Sequence, residues 1–131
     1  MIGLDTNILV RYFAQDDPVQ SRKAAVLMER GLSPQTPGFV SIVALAETIW
    51  VLERSYKLSE GDIAAIIEHI LAADALVVEH EAEVATALTV LWEGNGSFGD
   101  ALIGAINSQA GCSRTVTFDR KATRLPRFEL L

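Results

Sequence analysis

The chain has 131 residues, 50% of them apolar and 21% charged, with 11 Lys and Arg against 17 Asp and Glu and a formal net charge of −6. That length suits one core and one domain, 1–131, and the apolar content excludes a disordered chain. The lone Cys112 excludes an intrachain disulfide and a thiolate zinc cluster, and the acidic balance argues against the broad basic surface of a nucleic-acid coat.

Met1 to Leu4 is a short apolar run that reads as a buried strand, and Asp5-Thr6-Asn7 supplies polar side chains able to cap the segment after it. No basic start precedes an apolar stretch, and no charge-free run nears the ~20 residues that span a bilayer, so the sequence is expected in the cytoplasm. Asp16-Asp17-Pro18 looks like a helix start, and the periodic Val19, Ala24, Leu27 and Met28 carry the helix to Gly31. Phe39-Val40-Ser41 reads as a second strand leading into a helix over 42–56, with Glu47 early in it.

Ser59-Glu60-Gly61-Asp62 opens another helix whose apolar face is Ile63, Ile66, Ile67, Ile70 and Leu71, and 75–78 makes a third strand. A helix over 81–92 ends at Gly94-Asn95-Gly96, with a flexible loop after it. A further helix over 101–110 stops at Gly111, and 115–118 is a fourth strand, ending at Asp119. Short apolar strands alternating with helices imply crossover connections. The expected fold is therefore α/β, a three-layer sandwich with a short central parallel sheet flanked by helices.

In open α/β sheets, ligands bind beyond the carboxyl ends of the strands, where strand passes to helix. Asp5, Glu47, Asp100 and Asp119 all fall at such junctions. Helix capping accounts for acids at helix starts, but Glu47 lies too far inside its helix for that role. Four carboxylates brought together would repel one another unless they bound protons or a cation. Oxygen ligands without His or Cys select a hard ion, Mg²⁺ or Mn²⁺, which leaves positions for phosphate oxygens.

Gly94-Asn95-Gly96-Ser97-Phe98-Gly99 matches the dinucleotide fingerprint literally, but a helix, not a strand, is expected before it. His69 and His80 lack zinc spacing and read as surface or helix-end residues. Trp50 and Trp92 read as packing residues on apolar helix faces, and Cys112 as a small buried or loop residue. No Lys or Arg occurs from Leu58 to Ser113, whereas Arg114, Arg120, Lys121, Arg124 and Arg127 crowd the C-terminal end.

The ordered set of Asp5-Thr6-Asn7, Ala44-Leu45-Ala46-Glu47, Phe98-Gly99-Asp100-Ala101-Leu102-Ile103 and Val116-Thr117-Phe118-Asp119 resembles the PIN-domain ribonucleases, more narrowly the VapC-type toxins of toxin–antitoxin pairs. The resemblance covers nearly the whole chain. It implies a PIN-like fold and an acidic pocket holding Mg²⁺ or Mn²⁺ that cuts single-stranded or looped RNA. It makes Asp5, Glu47, Asp100 and Asp119 the catalytic and metal-binding acids, with Thr6, Asn7 and Thr117 orienting them. Some members carry a further acid where Ser97 stands here, which leaves one or two metal ions open.

The implied chemistry is hydrolysis by a metal-activated water, leaving a 5′-phosphate and a 3′-hydroxyl. Arg120, Lys121, Arg124 and Arg127 are the candidate phosphate contacts, extended by Arg11 and Arg54. The resemblance also implies a cognate antitoxin as partner, with the helices over 42–56 and 63–71 offering apolar surface to it, and a homodimer. Two other classes are a non-catalytic PIN-fold RNA- or protein-binding module, and an aspartate-based phosphoryl-transfer domain. The second lacks its usual acid two residues after Asp5, since position 7 is Asn.

Overall fold

A computed structural model describes residues 1–131 and divides them into two units, Met1–Glu79 and His80–Leu131. The first unit is built on β1 (Ile2–Gly3), β2 (Gly38–Val40) and β3 (Leu76–Val78), which lie in that order and run parallel. Ile2 pairs with Gly38, and Gly38 with Leu76. Parallel neighbours need crossovers. The first runs through α1 (Thr6–Ala14) and α2 (Pro18–Val26), which continues as a wider π turn over Leu27–Gly31; the second runs through α3 (Ile42–Arg54) and α4 (Glu60–Ala72).

Local chemistry sets these helices. Asp17 Oδ1 accepts the N–H groups of Val19 and Gln20, with Pro18 at the first helical position. Ser41 Oγ accepts from Ala44 and Ser59 Oγ from Asp62, so both serines are N-caps. Leu45, Ile49 and Leu52 of α3 and Ile63, Ile67 and Ile70 of α4 recur at helical spacing and are buried. Burial of each such side chain is worth about 1.5–3 kcal/mol. Leu9 of α1 and Val40 of β2 are fully enclosed as well.

In the second unit α5 (Glu81–Glu93) packs on α6 (Phe98–Gln109), and β4 (Thr115–Thr117) pairs in parallel with β5 (Phe128–Leu130), Thr115 opposite Phe128. A 3₁₀ turn, Lys121–Arg124, makes the crossover in place of a full helix. The fold is a helix-rich α/β arrangement with a small parallel sheet flanked by helices.

Several expectations change. The opening strand is not buried: Ile2 is 41% exposed on an edge strand, and only Leu4 is enclosed. β4 pairs with β5, a strand not read from the sequence, in a sheet separate from the other three. α6 starts at Phe98, three residues early, because Ser97 Oγ accepts the Asp100 N–H, and the loop shrinks to four residues. Trp50 and Trp92 are 57% and 62% exposed, so neither is a packing residue. The helix before Gly94 is present, and Gly94 ends it in the left-handed region at φ 69°.

Candidate active site

Asp5 links β1 to α1 with an extended backbone, and its Oδ1 accepts the Thr6 N–H at 2.8 Å. A capping carboxylate ordinarily reaches one or two residues further into the helix. Asp5 therefore caps only partly, and its second carboxylate oxygen has no protein donor. Thr6 is buried and Asn7 exposed in the first turn, with Val10 and Arg11 three and four residues beyond Asn7 on the same helix face.

α3 packs against α1 and presents Glu47 and Val51, and its C-cap Ser55, at successive steps of four residues. These residues, with Asp5, Thr6, Asn7, Val10, Arg11 and Tyr56, line a cleft of about 500 Å³. The structure thus brings Asp5 and Glu47 to one polar cleft of the first unit, together with Thr6, Asn7 and Arg11. Both acids are exposed, and neither forms an ion pair, although Arg11 stands on the same wall.

Arg11 is engaged elsewhere. Its Nη1 donates to Asp16 Oδ1 at 3.1 Å and to Tyr56 Oη at 3.2 Å, and its Nε donates to Gln20 Oε1 at 2.8 Å. The Tyr56 hydroxyl in turn donates to Asp16 Oδ2. That hydrogen bond, seconded by Arg11, holds the Asp16 carboxyl below its usual range, and it pushes the Tyr56 phenol up. Sequence reasoning missed Asp16, Gln20 and Tyr56. The four-residue steps from Glu47 through Val51 and Ser55 mark the cleft wall that Tyr56 adjoins.

Asp100 and Asp119 belong to the second unit. Asp100 is half-buried in the first turn of α6, its N–H donated to Ser97 Oγ at 3.1 Å. Asp119 lies two residues past β4. Its N–H donates to Thr117 Oγ1 at 3.0 Å, and its Oδ1 accepts the Lys121 N–H at 2.9 Å. Thr117 therefore fixes the backbone that carries Asp119. Arg120, which precedes the 3₁₀ turn, and Lys121 and Arg124 on it are exposed, whereas Arg127 donates to Ser108 Oγ at 3.1 Å.

Arg127 lines a mostly apolar cavity of about 480 Å³ with Val90, Leu125 and Phe128, where Glu83 is the sole carboxylate. The polar cleft, with two carboxylates, is the better seat for hydrolytic chemistry. No three His, Cys, Asp or Glu side chains form a group able to hold a metal ion. The side chains of the cleft able to ligate a cation offer oxygen, from Asp5, Glu47, Thr6, Asn7, Ser55 and Tyr56, with no His or Cys among them. Such a set suits Mg²⁺ or Mn²⁺, which accept one or two carboxylates and keep several waters.

His69 is exposed in the last turn of α4, 5.7 Å from the Phe13 ring, and His80 precedes α5 in the left-handed region. Cys112 is an exposed free thiol. The Arg54 guanidinium sits 5.6 Å from the Trp50 ring centre. No helix is long and apolar enough to cross a membrane. Among known families, the model of the PIN domain matches residues 2–128. No curated protein matches the chain.

Proposed function

The chain belongs to the PIN domain family, generally nucleases that hydrolyse phosphodiester bonds, and from that premise we propose that it is an endoribonuclease dependent on Mg²⁺ or Mn²⁺, the toxin of a toxin–antitoxin pair. The observation that carries the reading is the pair Asp5 and Glu47 on one polar cleft, both unpaired with any cation of the protein. The assignment extends to Asp100 and Asp119 as the remaining acids, and takes both units as one domain, since the family match runs through both.

Asp5 and Glu47 would hold the cation, with Thr6 and Asn7 of the same cleft orienting them; in the second unit Asp100 and Asp119 are the remaining acids of the family pattern, and Thr117 orients Asp119. When bound, such an ion acidifies water and offsets charge on the leaving oxygen. Glu47, an exposed carboxylate of the cleft, takes the proton of the attacking water as general base. Arg11 contacts substrate phosphate, and Arg120, Lys121, Arg124 and Arg127 of the second unit supply further phosphate contacts. Low overall charge keeps non-specific binding weak, which favours recognition of one RNA by its shape.

For the partners, α3 leaves Val43 and Trp50 exposed, while the apolar face of α4 is largely buried. That exposure supports a reading in which α3 seats an antitoxin segment, with homodimerisation through other faces.

The deciding experiment is RNA cleavage with Mg²⁺ or Mn²⁺ that is abolished by chelator and in Asp5→Asn. Equal cutting by wild type and Asp5→Asn removes the enzyme assignment, and RNA binding without cutting leaves a binding module. Growth arrest on induced expression, absent in Asp5→Asn, tests the toxin role.

A further inference from the structure

Arg11 faces two clefts. Beside the one that holds Asp5 and Glu47 lies a second, of about 340 Å³, which shares Asn7 and Arg11 with it and adds Gln20 and Lys23 from α2. The two differ in charge. The second has no carboxylate in its lining, only two cations and two amides over an apolar floor. Gln20 and Lys23 are three residues apart and so share one face of α2, which packs against α1. Lys23 is exposed and pairs with no acid.

A flexible arginine next to two unpaired carboxylates would ordinarily collapse onto them. Here the hydrogen bonds to Asp16, Tyr56 and Gln20 occupy Nε and both hydrogens of Nη1, and hold the guanidinium away from Asp5 and Glu47. Nη2 keeps both its N–H groups for a ligand. An ion pair as exposed as Arg11–Asp16 adds little to folding, so its consequence lies in where it fixes the cation. Phosphate is the ligand that a fixed guanidinium beside an ammonium group suits best.

We propose that the second cleft is a phosphate subsite for the nucleotide adjoining the one cut, with Arg11 and Lys23 as its donors. Asp16, Gln20 and Tyr56 are positioning residues that act through Arg11. The proposal rests on the ribonuclease reading of the first cleft and names where its substrate strand continues.

The test is fluorescence anisotropy with a labelled single-stranded RNA of mixed sequence, in Ca²⁺, on wild type, Lys23→Met, Tyr56→Phe and the control Arg22→Met. Arg22 is on α2 but lines neither cleft. Lys23→Met is expected to raise Kd about fivefold and to flatten the salt slope by about 0.7, while Arg22→Met changes neither. Tyr56→Phe keeps every charge, so it is expected to raise Kd with the slope intact. Thermal melts establish that each variant is folded.

Equal behaviour of Lys23→Met and Arg22→Met, or wild-type binding by Tyr56→Phe, overturns the subsite. So does wild-type protein that fails to bind the RNA. The expected binding pattern without any cutting in Mn²⁺ overturns the nuclease reading and leaves the subsite standing. Cutting with the same KM in Lys23→Met and Arg22→Met does the reverse.

Discussion

Glu79 Oε1 accepts the backbone N–H of Ile42 at 2.9 Å, so the residue after β3 caps the helix that carries Glu47. With Ser41 Oγ on the Ala44 N–H, two of the four free donors at the start of α3 are satisfied. Glu79→Ala is expected to cost about 1–2 kcal/mol, and Glu79→Gln, which keeps an acceptor, less. Urea denaturation of the two variants measures the difference.

Gly38 is the pairing centre of the first sheet, matched to Ile2 on one side and Leu76 on the other. A Cβ there would meet Leu32, Leu4 and Leu76 side-chain carbons at 2.8, 2.9 and 3.1 Å. Three leucine tips, two of them from buried residues, must shift together to admit the methyl, so Gly38→Ala is expected to lose about 1–3 kcal/mol. A lower denaturation midpoint with an unchanged m-value is the readout.

The Arg11 clamp has a pH window set by its two titrating members. Asp16 is held below the usual ~3.9, so its contribution is complete above that value and lost as pH falls through the lowered one. Tyr56 is pushed above the usual ~10, so its contribution is complete below that value and lost as pH rises through the raised one. The chain has two tyrosines, and burial also raises Tyr12. Ultraviolet titration is expected to show both ionising late, and Asp16→Asn to bring only one of them down.

Asp5→Asn keeps the oxygen that accepts the Thr6 N–H, so the start of α1 is expected to survive it. Loss of the carboxylate charge is expected to lower the cleavage rate about a hundredfold or more, with thermal stability nearly unchanged. Chelation of divalent ions is expected to do the same to the wild type. Calorimetric titration with Mn²⁺ on Asp119→Asn reads ligation separately from catalysis.

The helices are legible because Asp17 and Ser59 mark two of their starts and apolar residues recur at helical spacing after them, whereas Ser41, read as the end of the second strand, is the N-cap of α3. β5 is not legible, since it is three residues long, includes Glu129, and comes after Arg127 in the left-handed region. Hydrophobicity alone misplaces Trp50, which is exposed. Its stripe on α3 runs through Val43, Glu47 and Arg54, and charges on that face mark it as the solvent side. Asp5 and Glu47 could be singled out as acids at strand–helix junctions. The hold on Arg11 could not, because Tyr56 and Asp16 stand 40 positions apart and only the fold joins them.

The exposure of Trp50 and Trp92 has a practical result for the spectroscopist. The chain has only these two indoles, one in each unit, and both already face water. Intrinsic emission should therefore scarcely change when the protein melts. The same two fluorophores are free to respond when anything docks over them, and replacing either with Phe yields a single-colour beacon for the other half of the molecule.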